Sequence, residues 1–194
     1  MKKTITTLLT LTMAASLAGC GRKPADEPTK SQDTVIESAV DFYTEVWDAF
    51  GEDKQFAAVG GDAENEAEAP AKFAMTDENK ETFEYLLHVN DDLYDMLDDD
   101  AATLQHMMNT NTFSSAFAKL KDSSKAEAFA EDYKAEIQGQ HWMCGFPDKV
   151  VVISVADYVM MAYGAEECID DLVEACSEVA PDSTVLVDAP AVLD

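Results

Sequence analysis

Positive charge is what this sequence has least of. Its 194 residues hold 13 lysines and arginines against 39 aspartates and glutamates, a formal charge of −26. Such a surface repels nucleic-acid phosphates and anionic lipid headgroups, which argues against nucleic acid as a partner. Histidine is scarce too: His88, His106 and His141 show no H-x-x-x-H spacing and no paired cysteines, so no metal site is expected. There is no G-x-S-x-G, Walker A or dinucleotide fingerprint, and no grouping of serine, histidine and carboxylate that singles out a nucleophile. The expectation is a protein without catalytic residues and without a cofactor. Long apolar runs are absent as well. The one apolar stretch, Thr4 to Ser16, falls short of the ~20 residues that span a bilayer.

That stretch is nevertheless informative. Lys2 and Lys3 precede it, and Leu17-Ala18-Gly19-Cys20 follows, the charged, apolar and small-residue order of a secretory signal. Leu17-Ala18-Gly19-Cys20 resembles the lipobox of bacterial lipoproteins. The resemblance implies a signal peptide over 1–19 and a diacylglyceryl group on the Cys20 thiol. The membrane is then a partner through covalent lipid, palmitate among its chains, and the location is extracytoplasmic at the cell membrane. Each buried CH₂ contributes about 0.8 kcal/mol, so two or three chains anchor stably without a basic patch.

Lipidation of Cys20 leaves Cys144, Cys168 and Cys176, an odd number that argues against a disulfide framework. Cys168 and Cys176 sit on one expected helix, about 12 Å apart along its axis and beyond bridging distance. Free buried thiols are the expectation; pairing of Cys144 with either is the alternative.

Residues 20–33 read as the lipidated cysteine and a polar tether carrying Pro24 and Pro28, with a reach of roughly 20 Å. An N-terminal helical region is expected over 34–110. Thr34 and Glu37 form an S/T-x-x-E capping box before a stripe of Ile36, Ala39, Val40, Tyr43, Val46, Trp47 and Phe50, with Gly51 as the stop. The stripe should dock on the main domain; a groove lined by Phe42, Tyr43 or Trp47 would instead point to a ligand. Glu52 to Pro70 reads as a mobile acidic loop. A helix follows from about Asp77 through Phe83 and Leu87, and a short helical turn is expected from Ala101 to Met108.

From 111 to 194 the pattern changes. Strand-like alternation over Phe113–Lys121 is followed by a Ser124/Glu127 capping box and a helix ending at Gly139. Val150–Val155 and Tyr158–Tyr163 form a hairpin through Ala156-Asp157. A helix follows from Ala165 to Val179, and then a strand over Thr184–Val187. This order predicts an α+β fold, a ferredoxin-like βαββαβ sheet with additional N-terminal helices. Both crossover helices would lie on one face, with the N-terminal helices covering the other.

Two further stretches invite chemistry. Trp142-Met143-Cys144-Gly145-Phe146-Pro147 superficially resembles a thioredoxin active-site run. Pro147 stands where the resolving cysteine is needed, so dithiol exchange is not expected and Cys144 is left as a candidate reactive thiol. The acidic run Asn90-Asp91-Asp92, Asp95, Asp98-Asp99-Asp100 lacks EF-hand spacing and reads as a solvated face.

The lipobox, His106-Met107-Met108-Asn109-Thr110-Asn111-Thr112-Phe113 and the Trp142–Lys149 run together resemble an uncharacterised lipoprotein family of anaerobic Gram-positive gut bacteria. Its members are sometimes labelled bacteriocin transport accessory proteins. The resemblance implies a lipid-anchored protein outside the cytoplasm and supplies no catalytic residues. The expected role is non-catalytic, binding an envelope protein or a small ligand. The alternatives are a thiol-dependent accessory to peptide or bacteriocin export and a small solute-binding lipoprotein.

Overall fold

The computed structural model describes residues 34–143 and 145–193, so both Cys20 and Cys144 lie outside the described residues. Ser31–Asp194 forms one compact unit. Its first helix, α1 (Ala39–Ala49), buries Ala39, Phe42, Tyr43, Val46 and Trp47, the helical spacing expected of a docked stripe. It starts one turn later than the Thr34/Glu37 box predicts. Ser38 is the cap, its hydroxyl accepting the Asp41 N–H at 3.1 Å. Thr34 is otherwise engaged: its N–H, at 2.9 Å, and its hydroxyl both donate to the Asp182 carboxylate. Gly51, with φ of 76°, ends the helix region as expected.

Residues 52–70 are organised, not the mobile loop expected. They contain β1 (Ala58–Val59) and a Gly60–Ala67 bridge, and β2 (Ala71–Lys72) follows directly. Their centre is Asp62, 6% exposed. Its Oδ1 accepts the N–H groups of Glu64 at 2.9 Å and Asn65 at 3.1 Å, and the Asn65 side-chain amide at 2.8 Å. Its Oδ2 accepts the Ala74 N–H at 2.7 Å. Burial raises the Asp62 pKa, but these donors outweigh it and hold the carboxyl below the ordinary aspartate value.

Next come α2 (Lys80–Leu87), α3 (Asp91–Tyr94) and β3 (Leu97–His106). The helical turn expected over Ala101–Met108 is therefore a strand through His106. Ala101 to Gln105 are all buried, because layers cover both faces of the strand; alternation disappears and two alanines mimic a helix. The chain continues with β4 (Phe113–Leu120), α4 (Ala126–Gln138), β5 (Lys149–Val155), β6 (Tyr158–Gly164), α5 (Glu166–Val179) and β7 (Thr184–Pro190). The Ser124/Glu127 box is not the cap of α4, whose N-cap position is Lys125 with no side-chain cap. Asp122 caps the 3-10 turn Ser123–Lys125 that leads into the helix, its carboxylate accepting the Ser124 N–H at 3.0 Å.

The βαββαβ element order is therefore present, within an all-antiparallel seven-stranded sheet ordered β1-β3-β4-β6-β5-β7, with β2 also paired to β3. The strand order is not the ferredoxin-like one. In that order the last strand would lie outside β4; here β3 occupies that edge and β7 pairs with β5. The consequence is geometric. Both crossovers, β4 to β5 and β6 to β7, step the same way across the sheet from strands of opposite direction. Right-handed connections then place their helices on opposite faces.

The two cores show this arrangement. Helices α1 and α5 cover one face, packing Phe42, Trp47, Ile169 and Leu172 on Leu104, Phe117, Ile153 and Met160. Helices α2, α3 and α4 cover the other, packing Phe83, Leu93, Phe129 and Tyr133 on Ala116, Val152 and Met161. The N-terminal helices thus divide between the faces. Phe42, Tyr43 and Trp47 line no groove; they are core.

An interlock fastens α1. Phe42 stacks on Phe117 at 4.5 Å, and Phe117 stacks on Tyr158 at 4.9 Å. Asp100 Oδ2 accepts the Tyr158 hydroxyl at 2.7 Å and the Ala39 N–H at 3.0 Å, at the positive end of the helix.

Candidate functional site

The register gathers five chain segments at one end of the sheet. Phe113 pairs with Gly164, Gly164 with Lys149, Lys149 with Pro190, and Ser114 with Gln105 next to His106. The loops at that end are therefore 107–112 and 139–148, with the tail at 191–193. These loops contain both distinctive sequence stretches, which meet: the Asn111 side-chain amide donates to the Gly145 carbonyl at 3.1 Å. Gly145 has φ of 81°, and a Cβ there would stand 2.9 Å from Asn109 Nδ2, so glycine is what permits the approach. His106 shapes the first loop. Its Nδ1 accepts the Met108 N–H at 3.2 Å while its ring lies 5.2 Å from that of Phe56.

What this end presents is apolar. Met108 is 81% exposed, Met143 86% and Phe146 67%. Met107 is exposed next to Met108, as are Val192 and Leu193 in the tail, which Ala191 holds to the loop by donating its N–H to the Asp148 carbonyl at 2.9 Å. The other large exposed apolar side chains among the described residues, Val35, Tyr85 and Val185, stand singly on other segments. Scattered exposure is ordinary; a concentration on converging loops marks a contact surface.

Beneath the patch lies an aromatic floor. Trp142 sits 5.0 Å from His88 and 5.3 Å from Tyr163 between ring centroids. Burial lowers the His88 pKa and pushes that of Tyr163 up to about 12. Tyr163 donates to the Leu86 carbonyl at 3.0 Å, and His88 takes the left-handed position, φ 53°, that ends α2. Two donors on this side, Trp142 Nε1 and Gln105 Nε2, are buried without a hydrogen-bond partner among the described residues.

Beside Phe146 a cleft of about 300 Å³ opens between Asp148, Lys149, Glu166, Asp188, Ala189 and Pro190. Lys149 is held by Asp170 at 2.6 Å and Asp188 at 2.9 Å. Burial works against its charge, but the two carboxylates outweigh this and raise its pKa. Asp148 accepts the Glu166 N–H at 3.1 Å at the start of α5. Three lining carboxylates, with Asp170 on Lys149 behind them, against one ammonium leave the cleft negative.

The chain enters the domain at the opposite end. Thr34 is held by Asp182, in the turn between α5 and β7, and α5 begins at the apolar end and runs its 14 residues away from it. That length separates the two ends by about 20 Å.

The other sequence candidates are dispersed. Cys168 and Cys176 carry free thiols, the first half-buried and the second buried. Burial raises both pKa values, that of Cys176 to about 12, which makes them poor nucleophiles at neutral pH. The acidic run splits into separate roles. Asn90 caps α3, Asp91 pairs with Lys80 at 2.5 Å and Asp100 anchors α1. No group of three or more His, Cys, Asp or Glu among the described residues is placed to hold a metal ion, and no helix among them is long and apolar enough to cross a membrane. Compared with protein-family models, curated proteins and solved structures, the chain shows no match.

Proposed function

We propose that this is a lipid-anchored, extracytoplasmic envelope protein with a non-catalytic binding role, exercised through its methionine-rich end. The observation that carries the reading is the meeting of the 107–112 and 142–148 loops, which gathers exposed Met107, Met108, Met143 and Phe146, while Val35, Tyr85 and Val185 stand singly on other segments among the described residues. Methionine suits the task, since its unbranched, polarizable side chain repacks against a partner at little cost. The anchor is read from Leu17-Ala18-Gly19-Cys20.

Site-specific photo-crosslinking in intact cells tests this. A photoreactive residue at Met108 or Phe146 is expected to form one discrete adduct, absent when the same group replaces Glu78 or Glu178. Identical patterns from all four positions, or no adduct at Met108 and Phe146, would refute the assignment.

A further inference from the structure

We infer that the segment this end receives is a cationic amphipathic peptide. Its apolar face would lie on Met107, Met108, Met143 and Phe146, and a basic side chain would enter the cleft bounded by Asp148, Glu166 and Asp188. The inference rests on the binding role proposed above and specifies the partner's chemistry.

Charge complementarity selects among the occupants an apolar surface could take. A second copy of the chain brings another strongly acidic surface to the interface and is repelled. An anionic bilayer is repelled likewise. A peptide with lysines or arginines on one face and apolar residues on the other satisfies both components at once. Its apolar side covers the methionines, while its cations meet a cleft in which Lys149 offsets only part of the surrounding negative charge. The flexible methionines fix no side-chain shape, so recognition would follow amphipathicity and charge more than sequence. The approach is fast and salt-dependent, because the field of the whole acidic surface contributes to it.

The test uses Ser31–Asp194, which carries the whole sheet and both helical layers as one compact unit. A fluorescent Leu/Lys peptide of about 18 residues, five amphipathic helical turns, is titrated by anisotropy alongside its scrambled isomer and a Leu/Glu analogue. The Leu/Lys peptide is expected to bind at least about tenfold tighter than either control. Joint replacement Met107→Ser, Met108→Ser, Met143→Ser and Phe146→Ser should cost roughly tenfold in affinity with the melting temperature unchanged. Glu166→Gln with Asp188→Asn should weaken binding roughly threefold at low salt and less at ~0.5 M salt. Equal binding of the Leu/Glu or scrambled peptide, or an unaffected quadruple variant, would overturn the inference. The two readings fail separately. An adduct at Met108 or Phe146 that the Leu/Lys peptide does not displace refutes the cationic peptide alone; absence of any adduct there refutes the binding role itself.

Discussion

Phe117→Ala is expected to destabilise the domain by about 4 kcal/mol, the cost of a large aromatic truncated where neighbours cannot collapse. Phe117 is fully buried on β4, stacked between Phe42 of α1 and Tyr158 of β6. Its removal leaves both rings facing a void, and α1 loses the contact that seats it on the sheet. For a domain of this size the midpoint of thermal unfolding should fall by about 10 °C. Urea unfolding followed by tryptophan fluorescence reads the effect, since Trp47 lies in the same core. Phe146→Ala is the contrast: that ring is 67% exposed, and its loss should change stability by no more than about 0.5 kcal/mol. Equal losses from the two variants would mean that the interlock under α1 is not what holds the layer.

Asp62→Ala should cost about 3 kcal/mol, because three backbone N–H groups in residues 64–74 lose their acceptor together. The pH dependence follows with a definite sign. The folded pKa of Asp62 lies below its unfolded value of ~3.9, so the unfolded state binds the extra proton first. Its contribution is complete above that unfolded value and is lost as pH falls through the lower folded pKa. Asp62→Asn should therefore be less stable at neutral pH and show a shallower decline below about pH 4. Asp91, Asp122 and Asp182 are also held low, by Lys80, Ser124 and Thr34 respectively, but they are exposed and solvent screens them. Chemical denaturation across acidic pH distinguishes the buried carboxylate from these three. A decline identical in parent and Asp62→Asn would contradict the assignment.

The second half of the chain is legible where a one-sided helical stripe or a long β-branched run marks the element. The stripe Phe129, Ala130, Tyr133 and Ile137 announced α4, and the β-branched run from Val150 with the Ala156-Asp157 turn announced the hairpin of β5 and β6. Ala101 to Gln105 misled because burial on both faces erases periodicity. β1 and β2, each of two residues, are too short to show any. Nothing local says which edge β7 joins; that depends on β3 already filling the edge of β4. The site was legible in part. Both distinctive stretches stood out, but that Asn111 reaches Gly145 is a tertiary fact with no local signal. Gly145 could have flagged a close approach. Asp62 looked like one more surface carboxylate in an acidic stretch, and only the packed structure reveals its donors.

The methionine-rich end is expected to meet a partner in water and not to insert into lipid. The chain has two tryptophans, Trp142 beside the exposed loops and Trp47 on α1, buried in the core and reaching Phe113 through Phe56, so Trp142 is the surface probe. The decisive measurement is fluorescence quenching by brominated lipids of the acylated protein in bilayers, with Trp142→Phe used to assign the emission. The account predicts that Trp142 emission is unquenched and matches the bromine-free control. Strong quenching of the Trp142 emission would show the apolar end buried in the membrane and contradict it.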